Sequence, residues 1–92
     1  MDNETTISGI KSIRAVERAM DVLKCFRPET PILSVTDLQR RLGLSRPTLY
    51  RLLHTLETKG MVRSWGEPQR FELDAGVVDL AGSWLGKSDV TQ

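Results

Sequence analysis

GLSRPTLYRLLHTLETKGMV, Gly43 to Val62, decides the fold of this 92-residue chain. Gly43 marks a tight turn and Ser45 is placed to cap a helix by accepting from the backbone two or three residues on. Pro47 falls in the first turn, where a missing N–H breaks no helical bond. Leu49, Leu52, Leu53 and Leu56 recur at spacings of three and four along one face, the period of an amphipathic helix. Gly60 suits the left-handed position that ends such a helix. Just upstream, Ser34 opens a second helical pattern with Asp37 three residues on, the spacing of a capping box, and that pattern stops at Gly43. Helix, glycine turn, helix is the helix-turn-helix unit. Its second helix, apolar on one side and cationic and hydrogen-bonding on the other, suits the major groove of DNA.

Outward from this unit, the spacing predicts a first helix from Ser12 to about Phe26 with an apolar face of Ile13, Val16, Ala19, Met20, Leu23 and Phe26. Arg14–Glu17 and Arg18–Asp21 are spaced to pair on its polar side. Pro28 and Pro31 forbid its continuation, and Ile32-Leu33 is long enough for a minimal strand. After Gly60, a strand over Met61–Trp65, turn residues Gly66-Glu67-Pro68-Gln69 and a strand over Arg70–Leu73 form a hairpin. A last helix, Ala75 to about Leu85, presents Val77, Val78, Leu80, Ala81, Trp84 and Leu85. Val77, Leu80, Ala81 and Trp84 are spaced to pack on the first helix, whereas Val78 and Leu85 share a second face that a partner helix would cover. The fold class is therefore mostly α with a small β-hairpin wing, a winged helix-turn-helix over residues 10–85. Residues 1–9 read as a mobile tail and 86–92 as a polar C-terminal tail.

Composition sets the class. A hydrophobic share of 39% and a charged share of 27% are ordinary for a soluble globular domain. No apolar run is long enough to span a membrane, and the acidic, polar start is unlike a secretory signal. Cys25 is the lone cysteine, which rules out an internal disulfide and fits a reducing cytoplasm. With no charged activator that the sequence places beside it, it reads as a structural thiol. Net charge is only +1, yet residues 40–70 hold seven Lys/Arg against Glu57 and Glu67. Positive charge thus gathers on the helix-turn-helix and hairpin, where phosphate contacts would be wanted.

In this order of elements, the chain resembles the N-terminal DNA-binding domain of the IclR family of bacterial transcriptional regulators. The resemblance is carried by Val16-Glu17-Arg18-Ala19, by Leu38 through Leu44-Ser45, and by Thr48-Leu49-Tyr50-Arg51-Leu52-Leu53 with Leu56-Glu57 and Lys59-Gly60. Arg70-Phe71-Glu72-Leu73 and the helix behind it complete a likeness over about residues 12–85. Asp74 departs from it, standing where the family commonly has glycine. The resemblance implies a repressor or activator that binds operator DNA as a dimer or pair of dimers. It also implies a C-terminal domain, absent from these 92 residues, that senses a small-molecule effector.

A helical wheel anchored at Leu49 puts Pro47, Arg51, His54 and Thr58 opposite the core, with Tyr50 and Thr55 on the flanks. Arg51 is the first candidate for base readout, because its planar fork matches guanine O6 and N7; the rival role is a surface ion pair. Arg46, Ser45 and Thr48 sit at the helix start, where backbone N–H groups favour phosphate. Tyr50 suits a thymine methyl or a phosphate, or packing on the second helix. His54 is a DNA contact or an exposed polar residue, and as the sole histidine it supports no triad or histidine metal site. Ser34 and Thr36, with Arg63 and Arg70 on the wing, are candidates for register-setting backbone contacts. Arg40 and Arg41 read as solvated or paired with Glu57. No paired catalytic acids, nucleophile–base pair, metal-ligand spacing or glycine-rich phosphate loop occurs, so neither an enzyme nor a cofactor is expected. The alternative is a winged-helix protein–protein interaction module, which would place apolar anchors on the outward face of the helix that begins at Arg46.

Overall fold

The computed structural model describes residues 9–88. Its elements are α1 (Arg14–Cys25), α2 (Val35–Leu42), α3 (Arg46–Thr58), β1 (Val62–Trp65), β2 (Arg70–Leu73) and α4 (Ala75–Ser88). The strands pair antiparallel in the register Val62–Leu73, Arg63–Glu72, Ser64–Phe71 and Trp65–Arg70. Of the minimal strand expected at Ile32-Leu33, only Leu33 pairs, exchanging both backbone bonds with Phe71. This ties the connection between α1 and α2 to the free edge of β2.

Two glycines shape the turns around α3. Gly43 sits at φ 70° as the left-handed cap of α2, and Gly60 at φ 78° just beyond α3, both conformations that cost a side-chain-bearing residue. The core they enclose is Val22, Phe26, Leu33, Val35, Leu38, Leu49, Leu53, Leu56, Val62 and Phe71, with the Cys25 thiol among them. Burial raises the Cys25 pKa against the opposing pull of Arg41, so the thiol stays protonated and packs as a small hydrophobe.

Helix α1 departs from its expected orientation. Val22, Cys25 and Phe26 point inward, with Ala19 and Leu23 beside them, while Ile13, Val16 and Met20 are half or more exposed. The helix is apolar on two sides, and the inner one contains Val22, which a pattern begun at Ile13 passes over. The expected pairs Arg14–Glu17 and Arg18–Asp21 do not form among the described residues. Glu17 instead accepts from the Ser12 hydroxyl at 2.7 Å.

The last helix also differs. It runs on to Ser88, so the expected C-terminal tail is helical at its start; residues 89–92 and 1–8, which carry the rest of the two expected tails, lie outside the described residues. Leu80 and Trp84 do not pack on α1 but are each 65% exposed, and Val78 is 69% exposed. The root of α4 is fastened through its backbone. Asp74 N–H donates to Met61 O and Gly76 N–H to Gly60 O, each at 2.8 Å. A Cβ at Gly76 would lie 2.5 Å from that Gly60 oxygen, so glycine is required for this close approach. Asp74, the departure from the family pattern, accepts from Ala75 N–H through Oδ1 at 2.7 Å.

Candidate nucleic-acid interface

Helix α3 is held from behind and open in front. Leu49, Leu53 and Leu56 are buried and Leu52 is partly so, against α1 and α2. This fixes the rotation of the helix and leaves Arg46, Pro47, Tyr50, Arg51, His54, Thr55 and Thr58 exposed. The wheel expectation therefore holds along the whole helix. Among the described residues, no carboxylate lies within ion-pair distance of Arg46 or Arg51. Glu57, the one acid on the helix, is turned to the wing, where it accepts from Ser64 N–H and Oγ at 3.1–3.3 Å. Arg46 and Arg51 thus stand on the outward face without an ion pair among the described residues.

Both helix starts of the helix-turn-helix are capped. Ser34 Oγ accepts from Asp37 N–H at 3.1 Å, and Asp37 Oδ2 accepts from Ser34 N–H at 3.0 Å. That backbone bond, foremost, holds the Asp37 carboxyl below its usual pKa. Ser45 Oγ accepts from Thr48 N–H at 3.3 Å while its own proton goes to Thr48 Oγ1 at 3.0 Å. Thr55 and Thr58 donate back to the carbonyls of Arg51 and Thr55. Toward a ligand, Thr55 therefore offers a lone pair rather than a proton. Tyr50 is 41% exposed and lies beneath the Arg46 guanidinium, 5.9 Å from ring centre to Cζ.

The wing brings Arg63, Trp65, Arg70 and Glu72 to its outer face, because cross-strand partners share a side. Arg63 is bonded to Glu72 there, which offsets its charge. Among the described residues no carboxylate pairs with Arg70, which stacks over Trp65 at 5.8 Å. The wing turn approaches the helices as well: Glu67, Pro68 and Gln69 line a polar cleft with Ser34, Thr36, Arg46 and Tyr50. Arg40 lies 3.9 Å from Asp37 and Arg41 donates to Cys25 O at 3.3 Å, so neither pairs with Glu57.

This arrangement has known counterparts. The model of the IclR helix-turn-helix domain matches residues 15–64, from α1 through most of β1. The chain belongs to the IclR helix-turn-helix family. Relatives of this IclR-family domain are named as transcriptional regulators. It is 32% identical over 80 residues to the HTH-type transcriptional regulator XynR of Escherichia coli strain K12, covering 87% of this chain and 32% of that protein. It is 29% identical over 79 residues to the regulator KdgR of the same organism, covering 86% and 30%. The crystal structure of an IclR-family regulator from Brucella abortus superposes with a TM-score of 0.76 at 30% identity, over 89% of this chain and 31% of that one. The chain thus spans about one third of the length of the curated relatives it matches. No helix among the described residues is long and apolar enough to cross a membrane.

Two residues join the candidate face that sequence spacing did not single out. Gln39 of α2 is half-buried and receives a bond from Arg46. Its signal was its position three residues after Thr36, which puts both on one side of α2. Arg18, half-buried on α1, lines a groove with Thr48, Arg51 and Thr55 of α3. Nothing in the local sequence of α1 announces that neighbour.

Proposed function

We propose that this domain binds double-stranded DNA in a sequence-dependent manner as part of a bacterial transcriptional regulator, with α3 in the major groove and the wing on the phosphate backbone. One observation carries the reading: the exposed side of α3 presents Arg46, Arg51, His54, Thr55 and Thr58, and among the described residues no carboxylate lies within ion-pair distance of either arginine. A protein-interaction module would need apolar anchors on that side. Arg51 is the base reader, in the fork geometry that suits guanine. Ser34, Thr36, Ser45, Thr48 and Arg70 set register on phosphates, with Tyr50, His54 and Thr55 flanking the read bases. Arg63 contributes less while Glu72 holds it.

The exposed apolar faces of α1 and α4 support pairing with a second copy. Ile13, Val16 and Met20 on one helix, and Val78, Leu80 and Trp84 on the other, stand half or more in water, and covering a large side chain contributes about 1.5–3 kcal/mol. A two-fold dimer sets two reading helices about one DNA turn, or a multiple, apart and calls for a pseudo-palindromic operator. In the whole regulator, a cytoplasmic protein, a small-molecule effector acts through the C-terminal domain that the relatives' greater length accommodates.

Affinity of the chain for a duplex enriched from a random library should fall steeply with salt, with a log–log slope near −0.9 for each phosphate neutralised. A flat response contradicts the reading. Sedimentation at tens of micromolar should show a dimer that Trp84→Ala weakens; a monomer both free and on DNA contradicts the dimer.

A further inference from the structure

Arg46 stands at the first turn of α3, but its guanidinium is held by α2. Nη1 donates to Thr36 Oγ1 at 3.2 Å and to Gln39 Oε1 at 3.5 Å, and the plane lies near the Tyr50 ring. An arginine side chain has five N–H groups. Nη1 faces the α2 acceptors, and among the described residues no hydrogen bond engages the Nε and Nη2 edge. That edge is the fork that grips two acceptors at once. Both α2 partners are neutral, so they fix the group without cancelling its charge, which an acid at either position would do.

We propose that Gln39 is a positioning residue for DNA recognition: with Thr36 it locks Arg46 so that the Nε–Nη2 edge is aimed outward before DNA arrives. The inference rests on the DNA-binding reading above and adds a residue that touches no DNA itself. A lone arginine at a helix start must lose rotamer freedom on binding; one already bonded to the neighbouring helix has lost it beforehand. The same bonds tie the angle between α2 and α3 to the aim of the fork. The acceptor is an oxygen pair of one phosphate or the O6/N7 pair of guanine, which share this chemistry.

A double-mutant cycle on the 92-residue chain tests it, with a short duplex enriched by the wild-type chain from a random library as probe. Gln39→Ala should weaken binding about 2-fold, the low end of the worth of one hydrogen bond for a contact as long as 3.5 Å, and should cost nothing further in an Arg46→Ala background. Gln39→Met separates this role from packing, because it keeps the length of the side chain and deletes the acceptor. It should bind as weakly as Gln39→Ala, with an unchanged thermal midpoint. Loss confined to one base position identifies guanine as the acceptor, and equal loss on all sequences identifies phosphate. Wild-type affinity in Gln39→Met, or the same cost of Gln39→Ala with and without Arg46, overturns the inference while leaving DNA binding intact. A wild-type chain that enriches no duplex overturns both.

Discussion

Helices α3 and α4 are nearly equal in length, 13 and 14 residues, yet their sequences answer to different surroundings. In α3 the apolar side chains form one stripe and the core takes all of it. In α4 the apolar side chains are spread around the helix, and the described residues cover few of them. The first helix is explained within its own domain, polar side included. The second carries apolar side chains that the domain leaves largely exposed, and the pairing proposed above would cover them. Burial in the domain therefore measures what a helix does for the fold, and unburied patterning measures what it offers a partner.

The largest test of that contrast is in stability. Leu53 is 1% exposed, and Leu53→Ala should cost about 2–5 kcal/mol in urea unfolding as transfer and cavity losses add. Leu80→Ala, at 65% exposure in α4, should shift the unfolding free energy of the monomeric chain by less than about 0.5 kcal/mol. Comparable losses would mean that α4 packs on the core after all.

A smaller effect is expected on the wing. Glu72→Gln frees Arg63 from its acid and should raise affinity for all duplexes by a fraction of the ~1 kcal/mol that exposed ion pairs are worth at most. It should also steepen the salt slope by up to about 0.9. An unchanged slope would show that Arg63 stays clear of the backbone even when released.

The smallest is a pH effect at the α2 cap. Asp37 has its pKa lowered in the fold, first by the Ser34 backbone N–H. Its contribution to stability is full above the unfolded value of about 3.9 and fades as pH falls through the lower folded value. Asp37→Asn should therefore be less stable than wild type at neutral pH, with the gap closing in acid. A gap that persists below the folded value would assign the effect to helix geometry rather than charge.

How much of this was legible in the sequence follows from where each signal lies. Gly43, Ser45, Pro47 and Gly60 each impose a local backbone requirement, and the leucines of α3 repeat on one face only, so the extent of α2 and the extent and orientation of α3 were readable from local sequence. Helix α1 carries apolar residues on two sides, and period alone does not say which side meets the core; the side with the fully buried Val22 does. The partners of Arg63, Arg46 and Glu57 come from other elements, at sequence separations of seven to ten. No rule of local spacing reaches them. The packing of α4 was misjudged because a three-four pattern states that a helix buries a face without stating against what.

The central claim is that the exposed side of α3 reads base sequence, with Arg51 as its reader. Mutant-operator titrations of wild type, Arg51→Ala and Arg70→Ala test it most directly. Arg51→Ala should lose about 1–3 kcal/mol and relax preference at one base pair, whereas Arg70→Ala on the wing should weaken all sequences alike. Unchanged affinity and base preference in Arg51→Ala would contradict the orientation of α3 on DNA.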